Sequence, residues 1–268
     1  MSRREDMLRE MGLTPIWRLR RGASDSLAAT AAGPETDNVP SESVAPRMAK
    51  PANAVIPPGI TAPPRPAMDD RRAAIMRMDW PELKARVASC VDCPLHAKRN
   101  KTVFGVGDEN ADWLFVGEGP GADEDAQGEP FVGQAGKLLD NMLAAIKLRR
   151  GDNVYIANVT KCRPPGNRNP EPAEALTCEP YLHRQIELIG PKLIIALGKV
   201  AAVNLLAREA SIASLRGRLH QYRGIPLIVT YHPAYLLRSL GDKAKAWADL
   251  CFAVDTMKDL KQHVSAST

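Results

Sequence analysis

The chain has 268 residues, a formal net charge of +5 and a sequence pI of about 9.0. Its 44% hydrophobic content is enough for a sizeable core, while no apolar run reaches the roughly 20 residues that a membrane span needs. The charged N-terminus has no apolar stretch behind it, so we expect no secretory signal, no membrane association and a cytoplasmic location. The basic charge suits a polyanionic partner but does not identify one.

The N-terminal quarter of the chain differs in composition from the rest. Residues 22–77 are rich in proline and alanine without an apolar period, which is typical of a disordered linker. Residues 1–21 form a short amphipathic peptide, and we predict a protein partner that binds through residues 7–20; a frayed basic terminus is the alternative. The folded domain is expected at 78–265.

Apolar strands and helices alternate along that domain. Asp79, with Pro81 two residues later, can cap a helix that runs to Cys90. Strands are predicted at 113–117, 154–159, 193–197 and 226–230, and helices at 134–148, 172–189, 199–207 and 242–263. Strands that are apolar on both faces and are each followed by a helix indicate a parallel sheet. We therefore predict a three-layer α/β/α sandwich with a central, mostly parallel four-stranded sheet.

Polar residues occur where the predicted strands end, and ligands of such sheets bind beyond these carboxyl ends. Glu118 and Gly119 open an acidic glycine loop after the first strand, Asn158 ends the second, and His232 follows the last. The loop lacks the Gly-Lys-Ser/Thr of a phosphate loop. Phe131, just beyond it, can stack on a planar ring or be a core residue. Asn158 can read a pyrimidine edge or cap a strand.

Four cysteines form two separated pairs, with spacings of C-x2-C and C-x15-C. The four are Cys90, Cys93, Cys162 and Cys178. Four thiolates can hold an iron–sulfur cluster, and they can also hold tetrahedral zinc. Structural zinc sites usually combine two short knuckles, and C-x15-C is not a knuckle. The spacing favours a [4Fe–4S] cluster and leaves zinc and plain thiols as alternatives.

Taken together, these features resemble the family 4 uracil-DNA glycosylases, the iron–sulfur branch of the uracil-DNA glycosylase superfamily. The resemblance covers roughly residues 78–262. It rests on the segments CVDCPL, VFGVGDENADWLFVGEGPGADEDAQGEPFVGQAGKLLD, VYIANVTKCRPPGNRNP, IIALGKVA and VTYHPAYLLR, and on the later Cys178. It implies a hydrolase of base excision repair that removes uracil from single- or double-stranded DNA and carries a [4Fe–4S] cluster on the four cysteines.

The resemblance also implies roles for single residues. Phe131 would stack on uracil and Asn158 would bind its edge. Glu118 and Gly119 belong to the motif that holds the attacking water, and His232 would face the uracil O2.

A further segment, by the same resemblance, would enter the minor groove and fill the gap left by the flipped nucleotide. The segment runs from Ala234 to Arg238, and its expected DNA contacts are Ala234, Tyr235, Leu236 and Arg238. Candidate phosphate contacts are Lys137, Lys161, Lys199, Arg163, Arg168 and Arg238. The expected partner is uracil-containing DNA, and we expect a monomer.

The chain departs from the best-known family of the superfamily at the residues that hold the attacking water and exclude thymine. That family has an aspartate in place of Gly119 and a tyrosine in place of Gly121. Here the water must be held by Glu118, by backbone groups or by the acidic cluster 123–125, and another residue must exclude thymine. The alternatives are a non-catalytic iron–sulfur module that binds single-stranded DNA beside a polymerase, and a glycosylase for other deaminated bases such as hypoxanthine.

Overall fold

The computed structural model describes residues 66–265. The peptide predicted at 1–21 and the linker predicted from residue 22 up to residue 65 lie outside the described residues. Within the described range, no helix is both long and apolar enough to cross a bilayer.

A six-stranded mixed sheet forms the centre of the fold. Its strands are β1 (Val106–Gly107), β2 (Trp113–Gly117), β3 (Val154–Asn158), β4 (Leu193–Leu197), β5 (Leu219–Tyr222) and β6 (Ile225–Thr230). They lie in the order β1-β3-β2-β4-β6-β5; the inner four are parallel, and both edge strands are antiparallel to their neighbours. The predicted parallel strands are confirmed, but the sheet has six strands and not four. The two edge strands were missed because β1 has two residues and β5 is largely polar.

Helices precede, connect and follow these strands. They are α1 (Pro66–Ile75), α2 (Trp80–Ala88), α3 (Ala122–Gln127), α4 (Gln134–Ala145), α5 (Pro172–Ile189), α6 (Lys199–Leu206), α7 (Ile212–Leu215), α8 (Pro233–Arg238) and α9 (Lys243–Ser265). Short 3₁₀ turns lie at Pro94–Lys98, Pro165–Asn167 and Leu240–Asp242.

Alternate residues of each inner strand face opposite helix layers. Leu114 and Ile194 pack in the cluster that includes side chains of α5 and α6. Phe115 and Ile195 pack in the cluster that includes side chains of α4 and α9. Each such fully buried side chain contributes roughly 1.5–3 kcal/mol. The predicted α/β/α sandwich is confirmed, and its parallel strands all point their carboxyl ends to one edge.

Helix α2 begins as the sequence predicts. The Asp79 carboxylate accepts the Glu82 N–H at 2.9 Å, and the Glu82 carboxylate accepts the Asp79 N–H at 3.1 Å, so both form a capping box. The helix buries Leu83 and Val87 and ends just before Cys90. The cap therefore fixes the direction in which the chain enters the cysteine region.

Helix α1 lies inside the segment predicted as linker. Ile75 is buried against a cluster that includes Leu83 and Tyr181, and Arg71 Nε donates to Asp92 Oδ2 at 2.9 Å. The linker prediction is therefore wrong for residues 66–75. Pro66 begins the helix, where the absence of an N–H costs nothing, but composition alone made it look like more linker.

Candidate active site

One cavity of about 460 Å³ lies at the carboxyl edge of the parallel strands. Glu118 follows β2, Asn158 ends β3 and His232 follows β6, and all three line it. The other predicted residues that line it are Gly119, Phe131, Arg168, Ala234, Tyr235 and Arg238. The structure thus brings together residues that span more than a hundred positions of sequence.

Asn158 lines this cavity and has one unsatisfied polar atom. The residue is 1% exposed, and its Oδ1 has no hydrogen-bond partner within residues 66–265. A buried acceptor without a donor costs about 1–3 kcal/mol. A ligand that brings an N–H group to this oxygen therefore recovers a penalty already present in the folded protein.

Phe131 is buried beside Asn158 in an unusual backbone conformation. Its φ is +56°, in the left-handed region that side chains other than glycine adopt at a cost of about 1–3 kcal/mol. The ring lies against His232, with centroids 5.4 Å apart and planes inclined by 31°. Strain of this kind persists where the surroundings enforce it, and here it places an aromatic face in the cavity.

His232 is a neutral hydrogen-bond donor. Its Nδ1 accepts the Ala234 N–H at 3.2 Å, so in the neutral ring the proton is on Nε2. Burial, together with the smaller effect of the Arg238 charge, lowers the pKa of His232 to about 4, against a still smaller opposing effect of Glu124. Gly198, with φ of +91°, makes room for it, because a Cβ there would lie 2.9 Å from the His232 Cβ.

The acidic residues of the loop have separate roles. Asp125 is fully buried and accepts the Asn100 N–H at 2.9 Å and the Lys101 N–H at 3.3 Å. Glu124 closes the loop: its Oε2 accepts the Gly121 N–H at 3.0 Å, and its Oε1 accepts the N–H groups of residues 132 and 133 at 3.0 and 3.2 Å. Both carboxylates are committed to the fold.

Glu118 is the carboxylate of this loop that lines the cavity and is not committed to the fold. Its side chain makes no hydrogen bond or ion pair with any described residue, and it is half-buried in the cavity wall. Burial raises the pKa of Glu118 above its usual value of 4.5. Of the water-holding groups that the sequence left open, Glu118 fits best.

Helix α8 follows His232 at the mouth of the cavity. Tyr235 stacks on Tyr231 with centroids 5.0 Å apart and donates its hydroxyl to Asp242 at 2.6 Å.

Leu236 is 1% exposed and packs in the cluster of Tyr231, so its predicted contact with DNA is wrong. Leu237 lies inside the predicted segment 234–238 and is 42% exposed, but the sequence offers no reason to single it out. A one-residue step around a helix, about 100°, exchanges a buried position for an exposed one.

The candidate phosphate contacts are of three kinds: one is buried, one is paired with a carboxylate, and the others are exposed or half-buried. Lys161 is 1% exposed and donates to the Asn158 carbonyl at 2.9 Å and to Gln185 Oε1 at 2.6 Å, so its predicted phosphate contact is wrong. Arg168, on the rim of the cavity, forms a bidentate pair with Glu174 at 2.9 and 2.7 Å. Lys137, Lys199 and Arg238 are exposed, and Arg163 is half-buried.

The four predicted cysteines line a second, separate cavity together with Arg99 and Lys161. All four are free thiols. Arg99 Nη1 donates to Cys162 Sγ at 3.1 Å, and the Lys161 N–H points to Cys178 Sγ at 3.3 Å. Among the described residues, no three His, Cys, Asp or Glu side chains converge closely enough to hold a single metal ion.

Comparison with known proteins gives the class of protein that has this fold and this site. The family model described as the uracil DNA glycosylase superfamily matches residues 104–251, which include the strand-end residues Glu118, Asn158 and His232 of the first cavity. The chain therefore belongs to the uracil-DNA glycosylase superfamily.

The relatives narrow this to one branch. A type-4 uracil-DNA glycosylase of Archaeoglobus fulgidus is 48% identical over 164 residues, which are 58% of this chain and 82% of the relative. Type-4 enzymes of Thermotoga maritima and Pyrobaculum aerophilum are 45% and 42% identical, over 60% and 65% of this chain and 84% and 92% of theirs. Within the superfamily, the chain is a member of the type-4, or family 4, uracil-DNA glycosylases.

Proposed function

We propose that this protein removes uracil from DNA by hydrolysing the N-glycosidic bond with water and leaves an abasic site for base excision repair. The observation that carries the proposal is the unpaired, buried Asn158 Oδ1 beside the Phe131 ring and the neutral His232 in one cavity. A planar base with an N–H group and a carbonyl at its edge satisfies all three residues.

The target nucleotide has to leave the DNA stack to reach this cavity, at a cost of a few kcal/mol. Once inside, uracil stacks on Phe131, and its N3–H donates to Asn158 Oδ1. The Asn158 amide N–H₂ can donate to the O4 of the same edge. Cytosine has no proton at N3, so it leaves Asn158 Oδ1 unpaired and is disfavoured.

Bond cleavage develops positive charge on the sugar and negative charge on uracil. The electron pair of the glycosidic bond goes to N1 and is shared with O2, to which His232 Nε2–H donates a hydrogen bond. Because the pKa of His232 is about 4, the ring donates as a neutral group and keeps its proton. A donor placed where charge develops contributes roughly 10²–10³ in rate.

Water completes the reaction at the sugar C1′. The Glu118 carboxylate holds this water and stabilises the positive sugar. It accepts a proton from the water as the oxygen bonds to C1′, and that proton neutralises the uracil anion on its release. Among the described residues no lysine lines the cavity, so this site offers no amine for a Schiff base. The chemistry is that of a monofunctional glycosylase.

We assign the cysteine cavity to a [4Fe–4S] cluster. The residues fit: four thiols line one cavity, and N–H groups of Arg99 and Lys161 point to two of the sulfurs, as is usual around thiolate ligands. Because the thiols do not converge on a point, they suit a four-iron cluster better than a single zinc ion. Bound there, the cluster supplies a structural cross-link between α2, the 3₁₀ turn after Cys93 and α5.

The experiment for the activity uses an end-labelled oligonucleotide that contains one uracil, followed by alkaline cleavage at abasic sites. We expect strand cleavage with the wild-type protein and with Asn141→Ala, an exposed amide on α4, and a large loss with Asn158→Ala and His232→Ala. Intact strands with folded wild-type protein contradict the proposal. Release of hypoxanthine instead of uracil supports a glycosylase for other deaminated bases. Binding of DNA without cleavage supports a non-catalytic module that binds single-stranded DNA.

The experiment for the cluster is iron and sulfide analysis of anaerobically purified protein. We expect about four iron atoms per chain, lost on Cys162→Ser and retained on Cys251→Ser, because Cys251 does not line the cavity. Stoichiometric zinc without iron contradicts the assignment.

A further inference from the structure

Phe131 is held by its backbone from both sides. On one side, Arg150 Nη1 donates to the Pro130 carbonyl at 2.7 Å, and Arg150 Nη2 donates to the Phe131 carbonyl at 2.8 Å. On the other side, Glu124 Oε1 accepts the N–H groups of Val132 and Gly133. The residue with φ of +56° therefore lies between two carbonyls and two amides that are each tied down.

The guanidinium that makes these bonds is itself fixed. Asp140, one turn before the end of α4, accepts Arg150 Nε at 3.1 Å and Arg150 Nη2 at 3.0 Å. The Arg150 side chain is only 22% exposed. Arg150 lies between α4 and β3, so it ties the end of one helix layer to the loop that carries Phe131.

The Phe131 carbonyl, which Arg150 holds in place, also packs closely against the backbone of α4. Gly136, in the first turns of α4, faces the Phe131 carbonyl, and a Cβ on Gly136 would lie 1.8 Å from that oxygen. The backbone of α4 thus supports Phe131 from below, while Arg150 fixes the direction of the carbonyl. Left without the guanidinium, a strained residue is free to relax toward negative φ, and its ring turns with it.

We propose that Arg150 is a positioning residue for uracil excision, which keeps the Phe131 ring in its stacking position through the Pro130 and Phe131 carbonyls. The inference rests on the proposed function, since it gives Phe131 a base to stack on. Arg150 lines neither cavity and reaches the substrate only through Phe131. Lysine cannot replace it, because one ammonium group cannot bridge two carbonyls and a carboxylate in a plane.

The test is Arg150→Lys in the full-length protein, assayed for uracil release from a single-stranded oligonucleotide in single turnover. Misplacement of a reacting partner by about 1 Å can cost up to 10² in rate, so we expect a loss of roughly tenfold. Affinity for the uracil-containing strand should change less than twofold. The matched control is Arg149→Lys, since Arg149 is 81% exposed and, within residues 66–265, forms an ion pair with Asp152 alone.

A double-mutant cycle separates positioning from a merely structural role. In a Phe131→Ala background the ring is absent, so Arg150→Lys should no longer reduce the rate. A general loosening of the loop predicts the same tenfold loss in both backgrounds and overturns the proposal, as does an Arg150→Lys rate within twofold of wild type.

If Arg150→Lys does not fold, Asp140→Asn serves in its place, because it leaves Arg150 present and removes only the carboxylate that orients it. The proposal is supported if Asp140→Asn reduces the excision rate of the wild-type protein but not that of Phe131→Ala. An excision rate that Asp140→Asn leaves unchanged in the wild-type protein contradicts it. Failure of the wild-type protein to release uracil rejects the proposed function. A wild-type protein that releases uracil, with Arg150→Lys equal to it, rejects only the positioning role.

Discussion

Gly117 and Asn158 occupy matching positions on the neighbouring parallel strands β2 and β3, and a Cβ on Gly117 would lie 2.4 Å from Asn158 Oδ1. The same Cβ would lie 2.5 Å from Phe131 Cζ. The two residues that contact the base therefore meet over a position that has no side chain. The sequence offers this glycine as part of a loop, but its function is to leave space at the end of a strand.

Gly117→Ala should consequently displace both base-contacting side chains. We expect uracil excision in single turnover to fall by roughly a hundredfold, by the same argument from misplaced reacting groups. The added methyl group should also cost about 1–3 kcal/mol in the free energy of unfolding, as is usual for overpacking. Excision kinetics and urea unfolding measure the two effects.

Gly241→Ala is the matched control, because no atom of the described residues lies within 4 Å of its Cβ position and its backbone is not in the left-handed region. It should leave the excision rate and the stability unchanged. A Gly117→Ala protein that is as active as wild type would show that Asn158 and Phe131 can move aside without loss, against the assigned roles of both.

The pH profile of excision should report Glu118 and not His232. Burial raises the pKa of Glu118 above 4.5, so its ionised form is lost as the pH falls through that raised value, and the rate should fall with it. His232, with a pKa of about 4, stays neutral across that range. Single-turnover rates between pH 5 and 8 should show one ionisation on the acid side.

Glu118→Gln should be slow and should lack this ionisation, whereas His232→Ala should be slow and keep it. If the ionisation persists in Glu118→Gln at the same pH, another group carries it, and the assignment of the water to Glu118 is wrong.

Asp112 lies at the edge of the sheet opposite the cavity, and it should make the free energy of unfolding depend on pH. Its Oδ1 pairs with Lys192 and its Oδ2 with Lys261, each at 3.0 Å. Burial opposes ionisation, but the hydrogen bonds from Lys192, Lys261 and Asn153 and the charge of Lys261 together outweigh it and lower the pKa of Asp112 to about 2. A depressed pKa contributes stability that is complete above the unfolded value of 3.8 and is lost as the pH falls through about 2.

Because the pair is partly exposed, solvent screening reduces its contribution, and Asp112→Asn should lower the free energy of unfolding by about 1 kcal/mol at pH 7. The difference between variant and wild type should close at strongly acidic pH. Asp152→Asn, at an exposed pair with Arg149, should change nothing measurable. A difference that is constant from pH 7 to 2 would mean that Asp112 acts through packing and not through its charge.

The sequence predicts the inner sheet and the cavity because both follow from local patterns. Apolar runs such as 193–197 are sufficient for parallel strands, and polar residues at their carboxyl ends, such as Asn158 and His232, must share one edge. Edge strands and α1 escape prediction, since their short or polar sequences are stabilised by the sheet and by the contacts of Ile75. The positioning role of Arg150 escapes as well, because its partners lie 19 and 20 residues away and are main-chain carbonyls without a side-chain signature.

Leu236 and Leu237 show the same limit within a single helix. The sequence places an apolar pair after His232, but only the structure distinguishes the buried member from the exposed one. A side chain that fills the gap left by a flipped nucleotide must be apolar and exposed. Leu237 meets this condition and Leu236 does not.

We therefore expect Leu237→Ala to reduce uracil excision from duplex DNA by roughly tenfold and from single strands by less than twofold, because only a duplex leaves a gap to fill. Leu236→Ala should instead lower the free energy of unfolding by about 2–5 kcal/mol, as for other buried leucines, with an equal effect on both substrates. Excision assays on matched single- and double-stranded oligonucleotides, beside urea unfolding, measure both variants. If Leu236→Ala shows the duplex-selective loss and Leu237→Ala does not, helix α8 must turn on DNA so that its buried face opens to the groove.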